Sequence, residues 1–214
     1  MREISHSERM DSVYRGQKHI YDLTRKYFLL GRDRMIRRLN VPTGCSILEL
    51  GCGTGRNLVC AARAYPDSQL FGLDISSEMI AKAQQTTKRA GCSIQFACAD
   101  ASSFDPQDAL GQANFDRIFI SYALSMIPAW EQTIEHALNL LAPRGSLHLI
   151  DFGQQEHLPA AFRSALFLWL RRFHVTPRER LLDAVCQHAF RHGATAIREP
   201  LFRGYAWSAT VQMA

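Results

Sequence analysis

No apolar stretch in this sequence is long: the longest uninterrupted one runs from Ala165 to Leu170. A membrane-spanning helix needs about 20 such residues, so none is expected. The first residues, Met1-Arg2-Glu3-Ile4-Ser5-His6, mix charges without an apolar core, so no signal peptide is expected and the expected compartment is the cytoplasm. None of the six cysteines stands in a C-x-x-C pair, and no histidine cluster has metal-ligand spacing. In a reducing compartment these thiols serve as small buried hydrophobes, and no metal is expected. Low-complexity tracts and internal repeats are also missing. With 214 residues, 47% of them hydrophobic, the chain suits one well-buried domain.

Charge is present but uneven. Residues 1–40 carry a net +5, residues 41–155 a net −4, and residues 156–214 a net +4. Basic ends suit phosphates of a lipid surface or a nucleic acid, or they are ordinary solvated helix faces.

Residues 12–39 read as a basic amphipathic helix, with Ile20, Leu23, Tyr27 and Leu30 on one face and a break expected at Gly31. Beyond Val41-Pro42-Thr43-Gly44 the pattern alternates. Strands are expected at 47–50, 69–74, 93–97, 115–121 and 146–152, and helices at 57–65, 76–90 and 131–141. Repeated strand-then-helix units give a parallel sheet covered on both faces. Two helices (160–173 and 178–192) and two strands (194–198 and 205–213) complete the reading.

The chemistry concentrates at strand ends. Ile47-Leu48-Glu49-Leu50-Gly51-Cys52-Gly53-Thr54-Gly55-Arg56-Asn57 is a strand, a tight glycine turn and a helix start. Such a turn brings backbone close to a ligand and offers the unpaired N–H groups of a helix N-terminus. A dinucleotide fingerprint would need glycine where Arg56 stands. A ligand with an adenosine and an amino-acid carboxylate therefore fits better than a pyrophosphate. Asp74, 23 residues after Gly51, lies where ribose hydroxyls are held. Asp100-Ala101, after the third strand, suits an adenine amine. Ser121-Tyr122 ends the fourth strand, beside the point where α/β sheets bind ligands.

In this order, with Leu141-Ala142-Pro143-Arg144-Gly145 before the fifth strand, these motifs resemble the class I S-adenosylmethionine-dependent methyltransferases. The resemblance spans about residues 45–152. It implies a Rossmann-like α/β fold, with a mostly parallel seven-stranded sheet, an antiparallel last strand and helices on both faces. It implies that Gly51, Gly53 and Gly55 wrap the methionine part of the cofactor, Asp74 holds its ribose, and Asp100 and Ala101 meet its adenine. Glu49, Asn57, Ile75, Met79 and Ser121 complete the implied cofactor set, and S-adenosylhomocysteine is the implied product. The expected organisation is a basic helical segment (1–40) and a methyltransferase domain (41–214), with a helical insertion (155–193) facing substrate and membrane.

The ends bear on the acceptor. Tyr14-Arg15, the stretch from Ile20 to Arg32, Gly53 to Leu58, Ser121 to Pro128, and His174-Val175-Thr176-Pro177-Arg178 are similar to the bacterial diacylglyceryl-homoserine N-methyltransferases of betaine-lipid synthesis. That resemblance implies three methylations of a headgroup amine at an anionic membrane surface, with the protein peripheral on the inner face. A quaternary product suits aromatic faces. Tyr14, Tyr21 and Tyr122 are candidates for such a box, Tyr21 and Tyr122 as acceptor-positioning residues, and Arg25, Arg32 or Arg178 for the headgroup carboxylate. On the helix at 160–173, Phe162, Ala165, Leu166, Trp169 and Phe173 form the expected core stripe. Phe167 and Leu168 fall opposite, among Arg163 and Arg171, as suits an interfacial helix or a subunit contact. Phosphatidylethanolamine, a soluble small amine, and non-catalytic cofactor binding are the alternatives. No nucleic acid is expected as acceptor, because Ser121-Tyr122-Ala123-Leu124 stands where base-amine methyltransferases carry N/D-P-P-Y/F.

Overall fold

Strands β1 (Ser46–Leu50), β2 (Gln69–Asp74), β3 (Gln95–Cys98), β4 (Phe115–Ser121) and β5 (Leu141–Phe152) lie parallel, and β6 (Thr195–Leu201) and β7 (Ala206–Gln212) close the sheet as a hairpin, in the order β3-β2-β1-β4-β5-β7-β6. Among the described strands, β7 alone points opposite to the other six, pairing antiparallel with both β5 and β6. This computed structural model describes residues 28–214. The expected seven-stranded architecture with an antiparallel last strand is therefore present. Central strands covered on both faces need near-continuous apolar sequence. Accordingly, every residue of β1 is buried, including Glu49.

Helices α1 (Arg32–Arg37), α2 (Arg56–Ala64), α3 (Ser77–Arg89) and α6 (Ala160–Arg171) cover one face, where Ile36, Leu58, Ile80, Phe119 and Leu170 share a core. Helices α4 (Pro106–Leu110), α5 (Trp130–Asn139) and α7 (Leu181–Arg191) cover the other, around Leu110, Phe115, Ile134 and Val185. Glu135 of α5 bonds both His188 and His192, tying α5 to α7.

Several boundaries differ from the sequence reading. The 106–110 helix falls where a loop is expected, although its signals are local: Asp105 accepts the Asp108 N–H at 3.0 Å, Pro106 opens the helix, and Gly111 ends it at φ +67°. Strand β5 begins at Leu141, not Ser146. Leu141 pairs with Phe115 ahead of a register shift, and the expected turn residue Arg144 takes φ +61° within the strand. In α6 the inward residues are Leu166 and Leu170, with Phe173 just beyond its end. Phe162 and Ala165, expected inside, are exposed, and Phe167, expected outside, is half-buried beneath the Arg163 guanidinium.

Gly31 breaks the chain before α1 at φ +84°, as expected, and the carbonyls just ahead of it are anchored. Tyr122 donates its hydroxyl hydrogen to the Leu30 carbonyl at 2.7 Å, and Tyr205 donates to Phe28 at 2.8 Å. Both rings flank Phe152 in edge-on geometry, and burial raises both phenol pKa values. Removing either hydroxyl leaves a carbonyl short of its donor. Tyr122→Phe and Tyr205→Phe should each lower unfolding free energy by ~1 kcal/mol with an unchanged denaturant slope, read by urea titration.

Candidate active site

The glycine turn is built by backbone bonds between β1 and β2. The Leu73 carbonyl accepts from both Gly51 N–H (2.8 Å) and Cys52 N–H (2.9 Å). Gly51, Gly53 and Gly55 take φ of +72°, +54° and +75°, a region side chains rarely enter. A Cβ on Gly51 would also lie 2.6 Å from Ala123 Cβ. The loop after β4 therefore closes directly on the turn. Arg56, where a dinucleotide fold would have glycine, pairs with Asp33 of α1.

Asp74, at the carboxyl end of β2, is buried. Its Oδ2 accepts the Gly53 N–H at 2.8 Å and its Oδ1 the Ser76 N–H at 3.0 Å. Ser76 takes the helix-capping task, accepting the Met79 N–H at 3.3 Å. A carboxylate has about four lone-pair directions, so Asp74 can hold the turn and still accept hydroxyl hydrogens. Glu49, behind the turn, accepts from Asn57 Nδ2 at 2.8 Å. Ile75, Met79 and Met126 form a small apolar cluster beside Asp74. Asp100 is exposed after β3, its Oδ1 accepting from Ser102 N and Oγ, and Ala101 is buried beneath it. At the end of β4, the buried Ser121 Oγ has no hydrogen-bond partner among the described residues.

These residues fit S-adenosylmethionine. Gly51, Gly53 and Gly55 with the start of α2 would take its amino-acid end, Asp74 its ribose, and Ile75, Met79, Asp100 and Ala101 its adenine. Ser121 supplies an unused hydroxyl nearby.

The candidate acceptor residues are not brought together in the same way. Tyr14, Tyr21 and Arg25 lie outside the described residues. Tyr122 is a buried packing residue with its hydroxyl on Leu30, rather than an open aromatic wall. Arg32 is buried and donates to the Leu29 carbonyl at 3.0 Å. Arg178 donates to the Leu124 (3.1 Å) and Ile127 (2.7 Å) carbonyls and lies over the Trp130 ring. It therefore holds the loop after β4 instead of offering its fork to a headgroup.

The sequence reading missed Asp151, one residue before the end of β5, an acid near a strand's carboxyl end as Asp74 is at the end of β2; that parallel is the available signal. Asp151 is fully buried and accepts the N–H of Ser125 (3.0 Å) and of Phe152 (2.7 Å). Thr176 N–H meets the Ser125 carbonyl at 2.9 Å. Residues 124–127 are thus clamped by Asp151, Thr176 and Arg178.

Burial raises the Asp151 pKa from 3.8 to about 6, against the lowering effect of its hydrogen bonds and of Arg178. Between about pH 4 and pH 6 the folded chain holds this proton more tightly than the unfolded chain. Stability should therefore fall by up to about 3 kcal/mol as pH rises through that window, then level off. Asp151→Asn should remove this slope in urea titrations run from pH 4 to pH 7. For the cofactor, Asp74→Ala should weaken S-adenosylmethionine binding by ~1–3 kcal/mol in calorimetry. Gly53→Val should weaken it further, because a β-branched residue resists φ +54°.

Comparison with known proteins identifies the family. The model of a methyltransferase-domain family matches residues 42–189. A trans-aconitate 2-methyltransferase of Variovorax paradoxus is 32% identical over 54% of this chain and 41% of its own length. A demethylmenaquinone methyltransferase of Bacillus subtilis is 26% identical over 77% of this chain and 65% of its own. The chain thus spans about two fifths to two thirds of the length of these relatives. A Haemonchus contortus phosphoethanolamine N-methyltransferase, solved with phosphomonomethylethanolamine and S-adenosylhomocysteine, superposes with a TM-score of 0.73 at 14% identity, over 99% of this chain and 61% of that one. With the family model covering more than half of its residues, the chain belongs to the methyltransferase-domain family, a class I fold whose cofactor is S-adenosylmethionine.

Proposed function

We propose that this protein methylates the headgroup amine of a membrane lipid of the diacylglyceryl-homoserine type. The observation that carries the reading is helix α6. It follows β5 beside the clamped loop, holds Arg163 and Arg171 with Arg172 at its C-cap, and contains no acidic residue. Leu168 is 68% exposed and Phe162 46% exposed, so apolar groups stand in solvent among arginines. That combination suits an anionic lipid surface. No helix among the described residues is long and apolar enough to cross a membrane, so α6 would lie on the surface.

Bound S-adenosylmethionine supplies a methyl group on a sulfonium. The chain supplies position and exclusion of water, which dominate an in-line transfer. The glycine turn and Asp74 fix one partner. The loop at 124–127, held from three directions, bounds the space for the other. Asp151 has both oxygens engaged by backbone N–H groups, so it acts as a holder of that loop.

A second reading is methylation of an apolar quinone, favoured by the match to the demethylmenaquinone enzyme over 77% of this chain. Purified protein should be given labelled cofactor with diacylglyceryl-homoserine, phosphatidylethanolamine and demethylmenaquinone, and the products read by mass spectrometry. Mono-, di- and trimethylated homoserine lipid is the expected result, since partly methylated lipid can leave while spent cofactor exchanges. Label confined to phosphatidylethanolamine or to the quinone would move the acceptor accordingly, and label in none would end the lipid reading. Vesicle co-sedimentation should rise with anionic lipid, fall with salt, and fall for Leu168→Asp.

A further inference from the structure

The loop after β4 stands on one side of the glycine turn, and the start of α3 stands on the other. The sheet order puts β1, and with it the turn, between β4 and β2. Ala123 of the loop lies so close to the turn that a Cβ on Gly51 would come within 2.6 Å of it. Three residues on, the Met126 N–H donates back to the Ala123 carbonyl at 2.9 Å, a tight turn that keeps Met126 near the same place. From there its side chain packs with Met79 of α3, beside Ile75, the residue after Asp74. Met126 therefore reaches from the β4 side to the β2 side and crosses the end of β1. Every residue of β1 is buried beneath, so the crossing runs over the outer side of the glycine turn.

The backbone around Met126 is held, while its side chain keeps its freedom. Ser125, just before it, donates to Asp151 at 3.0 Å and accepts from Thr176 at 2.9 Å; just after it, the Ile127 carbonyl accepts from Arg178 at 2.7 Å. Methionine has three rotatable bonds and a polarisable thioether, so it adapts to an irregular apolar surface. Met79 is buried, but Met126 is only half-buried. Ordinary core packing explains a buried methionine. A half-buried one, laid across the place where the glycine turn, Asp74 and Ile75 converge, sheds its remaining water only when something fills that place.

We infer that Met126 is a cover for the cofactor: with S-adenosylmethionine held by the glycine turn and Asp74, its side chain lies against the nucleoside and shuts water from it. The turn and Asp74 offer polar groups on the inner side, and Met126 with Ile75 supplies the apolar outer side. Excluding water strengthens the hydrogen bonds that Asp74 accepts. The inference concerns the cofactor alone and is independent of which acceptor is methylated.

Peroxide footprinting of the wild-type protein, read by mass spectrometry of its peptides, tests this directly. Peroxide transfers one oxygen to an accessible methionine thioether and leaves water, whereas the sulfonium of S-adenosylmethionine resists it. Saturating S-adenosylmethionine should slow sulfoxide formation at Met126 several-fold. It should leave Met213 unchanged, half-buried just past β7 at the opposite end of the sheet. In calorimetry, Met126→Ala should weaken S-adenosylmethionine binding by ~10-fold, the order expected when an apolar side chain no longer covers a ligand. Met126→Gln should cost a similar factor, because its amide must be desolvated, and Met126→Leu should bind nearly as wild type. In turnover, the Met126→Ala loss should fall on the KM for S-adenosylmethionine more than on the KM for the acceptor. Oxidation of Met126 at one rate with and without cofactor would overturn the cover. So would Met126→Ala and Met126→Gln binding as tightly as Met126→Leu. Either result leaves the cofactor assignment standing, since Asp74→Ala tests that separately. The footprint uses the unaltered chain, so a variant that fails to fold does not blunt it.

Discussion

The Leu73 carbonyl accepts two N–H groups, from Gly51 and Cys52, and the geometry of the whole site follows from that shared acceptor. It forces the chain leaving β1 to turn across the end of β2 before α2 can begin. Three positive-φ glycines make the turn possible, and Asp74 locks its far side through Gly53. Because Asp74 also orders Ser76, the same carboxylate sets where α3 starts. A ligand entering here meets groups already oriented by backbone bonds, so little ordering is left to occur on binding.

A second constraint faces the first. The loop after β4 approaches the glycine turn so closely that Gly51 has no room for a Cβ beside Ala123. What fixes the loop comes from elsewhere in the chain: Asp151 from β5, and Thr176 and Arg178 from the segment before α7. The segment before α7 thus meets this loop through hydrogen bonds, and the glycine turn meets it through the close approach of Gly51 to Ala123. The buried charge of Asp151 is tolerated because two N–H donors and the Arg178 cation lie close to it.

Three features stand at this end of the sheet. The turn and Asp74 present backbone and carboxylate groups that are already oriented. The loop after β4 is held from three directions. Helix α6 carries arginines and exposed apolar side chains on its outer side.

The sequence by itself determined the features that depend on local periodicity and on residue-specific backbone freedom. The glycine spacing, the acid ending β2, the break at Gly31 and the alternation of strands and helices were all legible, because each is written within a few consecutive residues. The two strands that end the sheet were legible for the same reason, while their antiparallel pairing was implied by the family resemblance. The helix at 106–110 was legible in principle, through Asp105, Pro106 and Gly111, but is too short to show a period. Which arginines stay available for a ligand was decided only by the tertiary structure. Arg178 meets carbonyls more than 50 residues away, and Arg171, on a neighbouring helix, meets none among the described residues. The same holds for Tyr122, whose hydroxyl finds Leu30 across 92 residues, and for Asp151, whose partner Ser125 lies 26 residues back. A side chain's charge or ring is visible in sequence, but its occupation is a matter of which distant backbone groups the fold leaves without a partner.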